Sequence, residues 1–361
     1  MRIVSPLLKK VLYPSLSMAG IFRHTSARGL AVVTYHGVLP EGYEPIDPAF
    51  DGNLITSETL RRQLRLLKQH YNIISPDDLL AWREGRLELP SRAVLLTCDD
   101  GLLNCLTDML PVLQAEDVRC LFFVTGASAE DARTMLWYEE LFLLLLRAPA
   151  GQFKIEQGRI SIGGELASKN ARRALWWDTV KRLSQVDAET RVSILHAVRT
   201  QLNSEGPREF EQNPASGRRF GLLTRDDLRQ LADAGMTIGA HTLSHPVLSQ
   251  LPLELARTEI ATSRAALAAI LQKRVWAFAY PFGDVQSVNP EVLAMPESAG
   301  FAAAFLNYGG GLGTSLPSYG LPRIHVTAEM RLPEFEAHVS GFYSRLQRVG
   351  RKPQQSAELR A

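Results

Sequence analysis

The chain has 361 residues, 45% hydrophobic and 22% charged, enough to bury a large core as one big α/β domain or two smaller ones. Its formal charge is +2 and its Lys and Arg residues are dispersed, which implies no general attraction to nucleic acid. The three cysteines, Cys98, Cys105 and Cys120, have neither C-x-x-C spacing nor the density of a disulfide scaffold, so reduced thiols of a cytoplasmic protein are expected.

Residues 1–28 form an N-terminal segment in which Lys9 and Lys10 precede an apolar stretch from Val11 to Phe22. It superficially resembles a signal peptide, but Pro14, Ser15 and Ser17 interrupt it and no small-x-small cleavage site follows before Arg23 and His24. It is too short to span a bilayer. A surface helix is expected, with peripheral contact to the inner membrane surface as the alternative. From 29 to 347, strand-like and helix-like segments alternate. Leu30 to Tyr35 is an apolar β-branched run, and Ser57 to His70 has helical periodicity. Ile73-Ile74 is a short strand, and Ser75-Pro76 starts a helix with Pro at its first position. Strand Ala93 to Thr97, helix Asn104 to Gln114 and strand Cys120 to Thr125 follow. Later come helix Thr224 to Ala234, strand Met236 to Ala240, helix Leu253 to Leu271, strand Val275 to Tyr280, helix Pro290 to Ala299 and strand Phe301 to Leu306. Continuous apolar strands alternating with helices predict a parallel sheet covered on both faces, and at least seven of them suggest a barrel rather than an open sheet.

Residues 127–220 break this rhythm and are expected to form a helical insertion, with segments around Tyr138 to Arg147, Ala171 to Leu183 and Ala188 to Leu202. Long insertions in such barrels follow strand ends and often roof the site. Trp137, Trp176 and Trp177 lie there; they could stack on sugars, but helix packing is the better reading. Residues 348–361 are a polar tail.

Two stretches carry chemistry. Thr97-Cys98-Asp99-Asp100-Gly101 ends an apolar run with adjacent carboxylates, a costly arrangement unless a cation or a shared proton offsets their repulsion. His241-Thr242-Leu243-Ser244-His245 places two imidazoles four positions apart, and Pro246 disfavours a helix at His245, so the pair sits on a turn. One carboxylate and two histidines make a three-ligand site with open positions, the catalytic pattern for a divalent metal. The spare aspartate is then placed to take a proton from water. Cys98 alternates with Thr97 and Asp99 and is expected to face the other way. His36, Asp99-Asp100, His241 and Pro281 each follow a strand, where parallel α/β folds build their sites.

T-C-D-D-G resembles the T-F-D-D-G motif of polysaccharide deacetylases, the NodB-homology group or carbohydrate esterase family 4, and H-T-L-S-H-P resembles that family's H-[ST]-x-x-H-P. The phrases Val94 to Asn104, Leu110 to Leu113, Phe122 to Gly126 and Phe278 to Gly283 are similar too, so the resemblance covers about Leu30 to Val326 without the insertion. It implies a distorted (β/α) barrel that binds a divalent metal, usually Zn2+, and removes N-acetyl groups from amino sugars of a saccharide. It assigns Asp99 as base and Asp100, His241 and His245 as metal ligands. Tyr35-His36-Gly37-Val38 resembles the Y-H-x-V phrase of circularly rearranged members and makes His36 the preferred acid, with His325 the alternative. The family's R-x-P-[FY] motif lacks its arginine here, in Ala279-Tyr280-Pro281-Phe282; Arg323 is expected to supply that charge. Tyr280, Pro281 and Phe282 are candidates for substrate binding, with core packing the equal alternative for Tyr280 and Phe282.

Such a site would hydrolyse an acetamide: the metal polarises the carbonyl, an aspartate takes the water's proton and a histidine protonates the leaving amine. Hydrolysis of another non-peptide C–N bond, in a formamide or ureide, is the alternative, and an inactive carbohydrate-binding module is a third possibility.

Overall fold

The computed structural model describes residues 8–24, 29–129, 131–158, 160–202, 212–311, 313 and 316–349. Seven parallel strands form a closed barrel: β1 (Leu30–Tyr35), β3 (Ala93–Cys98), β4 (Leu121–Val124), β7 (Thr237–Ala240), β8 (Ala277–Ala279), β9 (Ala303–Gly309) and β10 (Leu321–His325). Their order around the ring is β1, β10, β9, β8, β7, β4, β3, and β1 pairs with β3 along its whole length to shut it. The short β2 (Asn72–Ile73) shares one edge of β3 with β4: β2 pairs with Ala93 and Val94, β4 with Thr97 and Cys98. One edge serving two neighbours in succession distorts the barrel.

Every residue of β1 and β3 is buried, as expected of strands covered on both faces. Alternate residues separate into two apolar clusters. Leu30, Val32, Ala93, Leu95, Phe123 and Phe305 fill the interior. Val33, Leu96 and Cys98 pack outward against helices such as Ser57–His70, through Leu60, Leu64 and Leu67. Cys98 therefore turns away from Thr97 and Asp99, its Sγ 3.6 Å from that of Cys105.

The insertion between β4 and β7 is not purely helical. It holds helices Trp137–Arg147, Lys169–Leu183, Ala188–Gln201 and Pro214–Phe220, but also an antiparallel hairpin of β5 (Gln152–Gln157) and β6 (Ile160–Glu165). Phe153, Ile155 and Ile162 point inward, alternating with exposed Lys154 and Glu156, and Gly158 turns the chain at φ 60°. The insertion has its own core around Leu141, Trp176, Ile194 and Phe220. Buried Arg219 ties it to the segment after β1 by pairing with Asp51, and pairs within the insertion with Glu139, each at 2.8 Å.

The N-terminal segment lies on the C-terminal helix Leu332–Val339, where Tyr13 and Phe22 cluster with Ala337. Lys9 pairs with Glu334 and Arg23 with Glu336. Val11 and Met18 remain exposed. Among the described residues, no helix is long and apolar enough to cross a membrane. The polar tail beyond residue 349 lies outside the described residues.

Candidate metal centre

At the carboxyl end of β3, the Asp99 N–H donates to the Tyr35 carbonyl at 2.9 Å, extending the β1–β3 ladder by one residue. Asp99 keeps the strand's alternation and points into the barrel mouth. Asp100 and Gly101 then adopt φ of 75° and 78°, which turns the second carboxylate to a different side. Arg323 from β10 clamps Asp99: Nη1 and Nη2 each donate to one carboxylate oxygen at 2.6 Å. The guanidinium is itself fixed by the Leu306 carbonyl and the Thr97 hydroxyl. Burial pushes the Asp99 pKa up, but the Arg323 charge beside it prevails and holds it below the usual carboxylate range.

The histidine loop starts where the His241 N–H donates to the Val124 carbonyl at 2.9 Å. Thr242 and His245 then take φ of 64° and 56°, and neighbouring Phe282 takes 60°. A β-branched residue such as Thr242 rarely adopts this conformation, and such strain concentrates at functional sites. The surroundings hold it. Glu259, on helix Leu253–Leu271, accepts from the N–H groups of Leu243 and Ser244 at 2.9 and 2.8 Å and from the Ser244 hydroxyl. Buried Arg191, from the insertion, donates to the Ser244 carbonyl at 2.7 Å.

His241 Nδ1 donates to the Ala279 carbonyl at 2.8 Å, which leaves a lone pair on Nε2. That Nε2 lies 3.7 Å from Asp100 Oδ1, and His245 Nε2 lies 3.4 Å from the same oxygen. One donor atom from each of Asp100, His241 and His245 falls within 4.8 Å of the others, and all three residues are buried. Burial pushes His241 down to about 4, so its imidazole is neutral and able to ligate. Burial raises Asp100, but the hydrogen bond from His245 and the charge of His36 outweigh it, so the carboxylate stays ionised. An N2O donor set of two imidazole nitrogens and one carboxylate oxygen, with His241 fixed in direction, fits a borderline divalent cation such as zinc.

His36, just past β1, and His325, at the end of β10, face each other with ring centroids 4.8 Å apart. The Val38 N–H donates to Asn104 Oδ1 at 3.0 Å, which fixes the His36 loop to the segment after the aspartate pair. A Cβ on Gly37 would stand 2.1 Å from that same oxygen, so only glycine fits there. Burial, then the charge of His36, pushes His325 down to about 3.

Of the substrate-binding candidates, Phe282 reaches the site, its ring centroid 5.0 Å from that of His245. Tyr280 does not: it is 1% exposed and its hydroxyl donates to the Tyr319 carbonyl at 3.0 Å, with the Leu293 carbonyl also within reach, so it packs in the core. Pro281 is buried between them. The insertion adds Tyr138, whose ring lies 5.3 Å from His245, and Trp137, whose indole N–H donates to the His245 carbonyl at 3.4 Å. Glu259 and Arg191 support the site without any motif to mark them, whereas Asn104 closes the family-like phrase that begins at Val94. Only the buried phase of Glu259 on its helix, beside Ile260 and Ser263, hints at an inward carboxylate.

The family model for polysaccharide deacetylase matches residues 195–304, less than a third of the chain, including the histidine loop but not the aspartate pair. The chain is 25% identical over 117 residues to the Bacillus subtilis (strain 168) protein YxkH, which carries a provisional polysaccharide deacetylase name; the match spans 32% of this chain and 41% of that protein. Among solved structures it resembles the Streptococcus pyogenes deacetylase PplD in complex with acetate, at TM-score 0.54 and 16% identity, covering 87% of this chain and 99% of that one. It also resembles IcaB from Ammonifex degensii, at TM-score 0.54 and 18% identity over 86% and 97% of the two chains. A de-N-acetylase from Aggregatibacter actinomycetemcomitans aligns at TM-score 0.51 and 15% identity over 86% and 99%. These identities speak for the shared barrel, and the family match falls on the loop that carries both histidines. The chain is thus similar to polysaccharide deacetylases over residues 195–304 and shares the barrel of the solved deacetylase structures.

Proposed function

We propose that this protein is a metal-dependent deacetylase that hydrolyses the N-acetyl group of an amino sugar in a polysaccharide or its precursor. Asp100, His241 and His245 would hold the divalent metal, with zinc expected from the donor set. A cation bound there would polarise the acyl carbonyl and lower the pKa of water. The remaining work falls to the chain's own residues. Asp99 is the base: the Arg323 fork uses one lone pair on each carboxylate oxygen and leaves the others for a water proton. By keeping Asp99 ionised, Arg323 ensures the base is available across the neutral range, and it fixes the direction in which the carboxylate accepts. His36 is the acid that protonates the leaving amine. Its neighbour His325 is held neutral by burial, so His325 serves better as its packing partner than as the proton donor.

The observation that carries this reading is the pairing, in one barrel mouth, of an arginine-clamped aspartate with a separate Asp/His/His donor cluster. Acetate release from N-acetylglucosamine oligomers, abolished by chelator and restored by zinc, tests it. Release that persists undiminished after complete metal removal would refute the metal-dependent reading.

A further inference from the structure

A cleft of about 120 Å³ runs between the insertion's helix Lys169–Leu183 and the barrel loops that follow β7 and β8. Trp177 and Lys181 form one wall, Phe282 and Asp284 the other. Phe282 also packs against His245, so one side chain is shared between the cleft and the Asp/His/His cluster. Trp177 is 44% exposed, unlike its neighbour Trp176 at 3%. The two rings lie 4.4 Å apart, so the exposed indole is set in place by one anchored in the insertion's core. Helix packing thus accounts for Trp176 and leaves the Trp177 face available.

The polar groups sit on either side of that face. Lys181 lies one turn beyond Trp177 on the same side of the helix and makes no ion pair among the described residues. Asp284 lines the cleft and accepts from the N–H groups of Gln286 and Ser287 through one oxygen, Oδ1. A flat aromatic wall flanked by a cation donor and a carboxylate acceptor suits a pyranose ring, apolar on its face and hydroxylated at its rim.

We propose that this cleft binds a sugar residue adjacent to the one bearing the reacting acetamide, so that the preferred substrate is a saccharide of at least two residues. The proposal rests on the function proposed above, and binding energy from this second residue would be available to orient the first. Two measurements test it, each on the full-length chain. In steady-state kinetics, Trp177→Ala should lower the ratio of kcat/KM for an N-acetylglucosamine tetramer to that for the monosaccharide about tenfold, with Trp177→Phe retaining most of it. In calorimetry with a glucosamine tetramer, which has no acetyl group to lose, Trp177→Ala should weaken binding about tenfold. An unchanged ratio and unchanged affinity overturn the proposal, as does absence of tetramer binding by the wild-type chain. If no sugar is turned over but tetramer binding still falls in Trp177→Ala, the deacetylase reading fails while the saccharide cleft stands.

Discussion

Arg323 and Asp99 meet as a forked ion pair inside the barrel, two N–H···O contacts of 2.6 Å between residues 1% and 2% exposed. The two strands that carry them, β10 and β3, are the two neighbours of β1, so the pair spans the place where the ring closes. Arg323 also lies 5.3 Å over the Phe123 ring, a second contact that fixes its plane.

Removing one partner of a buried pair leaves the other charge uncompensated. Arg323→Ala should therefore destabilise the fold by about 3–5 kcal/mol. It should lower kcat by roughly 10²-fold, since a misdirected base loses most of a general-base contribution, while zinc affinity changes only a few-fold. Arg323→Lys retains the charge but not the fork, and should fall between. Denaturant unfolding, turnover and zinc titration on the two variants check this; full turnover in Arg323→Ala would sink the clamp.

Glu259 holds the histidine loop through the backbone N–H groups of residues 243 and 244. Glu259→Ala should weaken zinc binding by about 10–100-fold, the range for loss of a group that orients ligands. Competition with a chromophoric chelator measures this. Affinity equal to wild type would mean the histidine loop holds its strained shape without the carboxylate.

Three buried histidines set the acid stability of the metal-free protein. Burial pushes His241 and His338 down to about 4 and His325 to about 3. Each binds its proton near 6.5 when unfolded, so between pH 6.5 and 4 the unfolded chain holds more protons and stability must rise with pH. Their contribution is complete above pH 6.5 and is lost as pH falls toward 4. Glu139, pushed up to about 7 by burial, works the opposite way in part of that window but is one group against three. The melting temperature of the chelated protein should therefore drop steadily from pH 6.5 to 4, and His338→Gln, remote from the metal centre, should flatten the slope. A flat profile in the wild-type chain would contradict this.

The barrel and the ligand cluster were legible because they rest on local signals. The apolar runs around Val33 and Leu96 fill buried strands, and Ser75 caps its helix through a reciprocal bond with Asp78. The hairpin at 152–165 was hidden because its inward set is short and interrupted by Gly158, Gly163 and Gly164, residues that weaken a strand signal. Tyr280 and Phe282 could not be told apart in the sequence, because strand phase says nothing of the left-handed turn at Phe282 that separates the two aromatics. Glu259 and Arg191 act on a loop far away in sequence, and a charged residue on a helix carries no mark of what it will reach. Arg323 differed: a missing motif arginine posed the question, and the fold brings this one onto Asp99.

The division of labour between the adjacent aspartates is the centre of the account, and metal content measured alongside turnover in Asp99→Asn tests it most directly. One equivalent of zinc per chain should remain while kcat falls by at least about 10²-fold, the scale of a lost general base. Loss of zinc from Asp99→Asn, with zinc retained by Asp100→Asn, would reverse the two roles and contradict the mechanism.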